Sequence, residues 1–201
     1  PPGILATVRA TCSASLETLM DETRRRTRSM FAYGTTTAEA KTGYGLNTAP
    51  ELRMLQALIA LDGEGPLELA ITFLGAHAVP PNYKDRPDAY TDLVVETMLP
   101  LLKEWWPHNA PYHGMPFVDV FCEPGAFDLE QSRRILSAAK QKGFPLKIHA
   151  DEFESIGGAR LAAELGAISA DHLVKTPPED IRALAASDTV AVALPCTPFG
   201  L

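Results

Sequence analysis

The sequence predicts an α/β protein of parallel strands, in the form of a partial (β/α)8 barrel with about six βα units. Three observations support this. Strand-like and helix-like segments alternate almost throughout, which implies parallel strands joined by right-handed crossovers. Polar residues gather at the ends of the strand-like runs, as on the catalytic face of a barrel. No glycine-rich phosphate fingerprint follows any strand, which counts against the alternative, an open doubly wound sheet. No linker or low-complexity stretch interrupts the series, so residues 1–201 read as one structural domain.

Each element has a local reason. Ser15 can cap a helix over residues 16–33, which Gly34 stops. Leu16, Leu19, Met20, Met30 and Phe31 approximate one apolar stripe on it, and Arg24, Arg25, Arg26 and Arg28 read as its solvated face. The β-branched start of residues 35–41 reads as a strand. A glycine-punctuated loop over 42–47 leads to a helix at about 49–62. An apolar strand over 67–74 ends in Gly75-Ala76-His77, and a long polar loop precedes a helix near 88–105. The strand at 117–123 is followed by a helix over 128–142 that Gly143 ends. Then come strands at 145–149, 168–172 and 189–194, separated by helices near 157–165 and 178–186. Pro195 marks the exit.

Composition narrows the function classes. The chain is 46% hydrophobic and 21% charged, an ordinary globular balance. A net charge of −7 offers no basic field for nucleic acid. No run is apolar and long enough to span a bilayer, and the N-terminal residues lack the features of a signal peptide. Cys12, Cys122 and Cys196 are few and far apart, which fits free thiols in a reducing cytoplasm and excludes a CxxC zinc site.

The chemistry-bearing residues lie at strand ends. Glu39-Ala-Lys41-Thr-Gly-Tyr44-Gly-Leu46 sets acid, base and phenol at one strand–loop junction. Gly43 and Gly45 would let backbone approach a ligand there, although an ordinary turn with a surface tyrosine is the other reading. His77, His149 and His172 sit just past or at the ends of three different strands, where imidazole can bind metal or move a proton. Glu152 follows His149 closely enough to contact substrate or shuttle protons, and Asp151 could cap the next helix or orient the site. Glu123 reads as an ion-pair partner for a cation such as Lys147. His108 and His113 fall in a proline-rich stretch and are expected to face solvent. No Gly-x-Ser-x-Gly elbow occurs, so a hydrolase here would use metal-activated water.

Five motifs resemble the imidazolonepropionase family of the amidohydrolase superfamily. They are Glu39-Ala-Lys-Thr-Gly-Tyr-Gly-Leu, Thr72-Phe-Leu-Gly-Ala-His-Ala, Val118-Asp-Val-Phe-Cys-Glu, Lys147-Ile-His-Ala-Asp-Glu and Ser169-Ala-Asp-His-Leu. The resemblance runs in order along nearly the whole chain. It implies a metal-dependent hydrolase that opens the cyclic amide of 4-imidazolone-5-propanoate to give N-formimidoyl-L-glutamate in histidine degradation. It further implies one zinc or iron ion per subunit, a cytoplasmic homodimer, and a distorted (β/α)8 barrel beside a β-sandwich. By the same resemblance His149 is a metal ligand, Tyr44, His77 and Glu152 bind substrate, and Glu152 and His172 are catalytic. The family's His-x-His metal pair, nearby arginine and last-strand aspartate have no counterpart in this sequence. The resemblance therefore covers a central barrel segment. Another cyclic amidohydrolase or deaminase, or a non-catalytic barrel scaffold, are the alternative functions.

Overall fold

The computed structural model describes residues 2–199. Two helices, α1 (Pro2–Ser13) and α2 (Leu16–Ala32), precede the first strand. Then β1 (Thr37–Lys41), α3 (Thr48–Glu64) and β2 (Glu68–Ala76) follow. A helical stretch comes next: α4 (Pro87–Asp92), a π-helical turn at Leu93–Met98 and α5 (Leu99–Asn109). The remaining elements are β3 (Phe117–Cys122), α6 (Leu129–Gln141), β4 (Lys147–Ala150), α7 (Gly158–Leu165), β5 (Ser169–His172), α8 (Pro178–Ala185), β6 (Val190–Val192) and the short α9 (Cys196–Phe199).

The six strands form one parallel sheet in the order β1-β2-β3-β4-β5-β6. A doubly wound sheet reverses direction at its switch point, and this one does not. The sheet must also curl. In a flat sheet β1 and β5 would stand about 19 Å apart. Yet Lys41 Nζ on β1 lies 3.3 Å from Asp171 Oδ2 on β5. The fold is a half-barrel, as the alternation of elements and the polar strand ends together predict.

Period-2 alternation sorts the strand residues. Val118, Val120, Cys122, Ile148, Ala150 and Ala170 join the buried core beneath the helices. The residues between them, Asp119, Lys147, His149, Ser169 and Asp171, turn their polar groups to the barrel interior, where they meet Glu39 and Lys41. Glycine lets a helix come close at one place. A Cβ on Gly158, the first residue of α7, would lie 2.8 Å from the Ala150 Cβ.

Local signals set the boundaries. Ser15 accepts the Thr18 N–H and caps α2, and Gly34 at φ +92° follows its end. Asp128 and Gln131 form a capping box on α6, and Gly143 at φ +82° closes it. Three features add to or depart from the sequence pattern. Residues 2–13, left unassigned by the sequence pattern, are helical, and Arg53 Nη1 donates to the Cys12 and Ala14 carbonyls at their end. The apolar stripe of α2 buries none of its residues; Leu16, Met30 and Phe31 are exposed. His113 does not face solvent freely: its Nε2 meets Asp62 Oδ2 at 2.8 Å and its ring packs edge-on to Trp106. No helix among the described residues is long and apolar enough to cross a membrane.

Candidate active site

The C-terminal ends of β1 to β5 open into a cleft of about 380 Å³. Tyr44, His77, His149, Glu152 and His172, the five residues singled out from the sequence, all line it. Leu74, Phe121 and Phe153 supply much of its apolar wall. A larger hollow of about 590 Å³ between α1, α2 and α3 shares Lys41 and Tyr44 but holds none of the imidazoles.

His149 sits at the centre. Its ring centroid is 5.2 Å from that of His172, 5.9 Å from that of Phe121 and 6.3 Å from that of His77. Its Nδ1 donates to the buried Asp119 carboxylate at 3.0 Å. A carboxylate only accepts, so Nδ1 carries the proton and Nε2 is left for the cleft. Burial works against the Asp119 charge, but His149 and Lys41 outweigh it and hold this carboxyl well below the usual range.

Beneath His149 lies a charged layer. Lys41 Nζ donates to Glu39 at 2.7 Å, to Asp119 at 2.8 Å and to Asp171 at 3.3 Å. Lys147 Nζ reaches Glu39 at 2.8 Å, and Ser169 Oγ donates to Asp171 at 2.7 Å. Burial disfavours the Lys41 ammonium, yet Asp119 and Glu39 more than compensate and raise its pKa. Buried charges persist when paired and hydrogen-bonded in this way. The sequence reading missed Asp119 as a site residue. Its signal was a lone carboxyl at an inward position of an otherwise apolar strand.

His172 reaches the cleft by a backbone device. Alternation from the inward Asp171 would turn it outward. Its φ of +80°, followed by +59° at Leu173, departs from strand geometry, and the imidazole lines the cleft beside His149. Left-handed conformations at two consecutive non-glycine residues are costly and gather at functional sites. Burial, with the neighbouring His149 second, pushes the His172 pKa down to about 4. Its Nδ1 is buried without a hydrogen-bond partner and stands 3.6 Å from Glu152 Oε1, too far for a hydrogen bond. Burial also raises the Glu152 carboxyl.

The Tyr44 ring meets His77 edge-on at 5.0 Å. His77 Nδ1 donates to the Gly43 carbonyl at 3.1 Å, which again leaves Nε2 as the remaining polar atom. Burial, with the neighbouring His149 second, lowers the His77 pKa. Gly43 and Gly45 do permit close approach, but of protein rather than ligand: their N–H groups point at Glu51.

Two supporting residues differ from expectation. Glu123 pairs with no lysine. It is buried, and its carboxyl accepts the N–H groups of Glu152, Phe153 and Glu154 at 2.7, 3.2 and 3.1 Å, so it shapes the loop that bears Glu152. Asp151 caps no helix; α7 starts after Gly157, and the Asp151 carboxyl instead accepts the Thr176 hydroxyl at 2.8 Å.

Asp119, His149 and Asp171 bring one ligand atom each within 4.8 Å of one another, a possible metal-binding trio. The two carboxylates are already engaged by Lys41, His149 and Ser169, so the donor that fits a metal without rearrangement is His149 Nε2. Asp119 behind it is the outer partner that metal-bound histidines characteristically have.

A half-barrel with imidazole and carboxyl groups converging at its strand C-termini has these groups where barrel enzymes carry their sites. No family model matches the chain. Among curated proteins it is 54% identical over 199 residues to the imidazolonepropionase of Herpetosiphon aurantiacus and 53% identical over 201 residues to that of Chloroflexus aggregans. These matches cover 99% of this chain and 47% of each relative. An imidazolonepropionase of Streptococcus gordonii is 48% identical over 199 residues, 62% of its length. The chain is thus a relative of the imidazolonepropionases and spans about half the length of the first two. The resemblance read from the five motifs holds.

Proposed function

We propose that this chain is the central barrel segment of a metal-dependent imidazolonepropionase, the β-sandwich and remaining metal ligands lying elsewhere in the polypeptide. The reaction adds water across the cyclic C–N amide bond of 4-imidazolone-5-propanoate. Hydroxide joins the carbonyl carbon, a proton joins the ring nitrogen, and N-formimidoyl-L-glutamate results. The observation that carries this reading is the convergence of Tyr44, His77, His149, Glu152 and His172 on one cleft, in a chain about half identical to proteins of that name.

His149 Nε2 would hold the ion, zinc or iron, as one of several ligands. Bound there, the metal supplies a nucleophilic water at neutral pH and polarises the carbonyl. Tyr44 and His77 orient the substrate through their polar atoms against the apolar wall of Leu74 and Phe121. Neutral His172 and Glu152 share the proton traffic: the water's proton has to leave, and the departing ring nitrogen has to gain one. The orphaned Nδ1 of His172, facing Glu152, has an unmet hydrogen bond that such a proton path would satisfy. The choice of metal, the homodimer and the cytoplasmic setting rest on the family resemblance.

The test follows the loss of 4-imidazolone-5-propanoate absorbance with metal supplied, for the complete polypeptide and for this chain alone. Turnover by the complete polypeptide only is the expected result. Absence of turnover by both overturns the reading and favours another cyclic amide or a non-catalytic scaffold.

A further inference from the structure

The buried carboxyl of Glu51 has no part in the chemistry above, yet it is densely hydrogen-bonded beside the cleft. It lies in the first turn of α3 and is 1% exposed. Its oxygens accept the N–H of Gly43 at 3.0 and 3.2 Å, of Gly45 at 2.7 Å and of Leu46 at 2.9 Å. Successive N–H groups aimed at one point form a nest that ordinarily receives an anion. Here the protein's own side chain fills it.

The loop around this nest is strained at Leu46 and crowded at its two glycines. Gly43 has φ +104° and Leu46, a non-glycine residue, has φ +46°. A Cβ on Gly45 would lie 2.6 Å from the Glu51 nitrogen, and one on Gly43 would lie 2.8 Å from the Leu74 carbonyl oxygen. Such conformations last only where the surroundings over-determine them. Tyr44 stands between the Gly43 and Gly45 amides. The Gly43 carbonyl that accepts from His77 Nδ1 belongs to the same loop.

We infer that Glu51 is a positioning residue for the substrate end of the cleft, fixing Tyr44 through its flanking amides and His77 through the Gly43 carbonyl. This rests on the reading that Tyr44 and His77 hold substrate. It assigns Glu51 an effect on binding that leaves the metal end untouched, because His149 is oriented by Asp119 on β3, outside the nest loop.

The test uses Glu51→Gln in the complete polypeptide, with Glu51→Asp as a second variant should the first not fold. Glutamine sets an N–H₂ against the nest's donors; aspartate is one methylene too short to fill it. Expected is a rise in KM of about tenfold or more with kcat within about threefold and bound metal unchanged. A lower melting temperature with KM unaltered would make Glu51 a purely structural residue and overturn the inference. A second readout does not need activity. Long-range ¹⁵N–¹H correlation of labelled histidine reports the His77 tautomer, and Tyr44–His77 ring contacts are seen by NOE. Both should be single-state in the natural protein and altered in the variant. If the natural polypeptide fails to turn over the imidazolone but these signals shift, the functional reading falls and the positioning role stands. If they do not shift, the positioning role falls.

Discussion

The Asp119 carboxylate accepts the Nδ1 proton of His149 at 3.0 Å, and this one contact fixes which nitrogen of the central imidazole faces the cleft. Lys41 grips the same carboxylate at 2.8 Å from the first strand. Three strands thereby set one ring.

Replacing that carboxylate should therefore act on metal before it acts on substrate. Asp119→Asn keeps an acceptor but loses the charge that Lys41 and His149 both use. Metal affinity of the complete polypeptide is expected to fall by about 10- to 100-fold, measured by competition with a chelator. Unchanged affinity would remove Asp119 from the orienting role.

Protonation gives a second test. The folded His172 titrates at about 4, against an ordinary histidine value near 6.5. Between those pH values the unfolded chain binds a proton that the folded one refuses, so His172 lowers stability as pH falls through that window. His77, also depressed, acts in the same direction, and the raised Glu152 opposes it. His172→Gln should flatten the loss of denaturant midpoint between about pH 6.5 and 4. Equal slopes for the two proteins would contradict the burial argument.

Packing gives a third. Gly158→Ala gains about 1 kcal/mol at most from helix propensity. Against that, the new methyl would lie 2.8 Å from Ala150 Cβ and 3.3 Å from Cys122 Sγ. Overpacking costs about 1–3 kcal/mol, so net destabilisation is expected in urea unfolding, together with weaker metal binding, since Ala150 adjoins His149. A stabilised variant would show that α7 can retreat from β4.

Much of this molecule was legible as local pattern. The alternation of β-rich runs and helices determined the parallel sheet, and the polar strand ends without a glycine-rich phosphate loop favoured a barrel over a doubly wound sheet. Chain position at the strand ends determined that Tyr44, His77, His149 and Glu152 share a face. Those are consequences of spacing along the backbone. The partners were decided only in three dimensions. Glu51 meets Gly43, Lys41 meets Asp171 across four strand spacings, and Glu123 turns from a lysine to three backbone amides. The sheet's curl brings such residues together, and no local propensity encodes which distant charge a buried group will find. The same holds for His172: alternation alone turns it outward, and two left-handed residues, held by tertiary packing, bring it back.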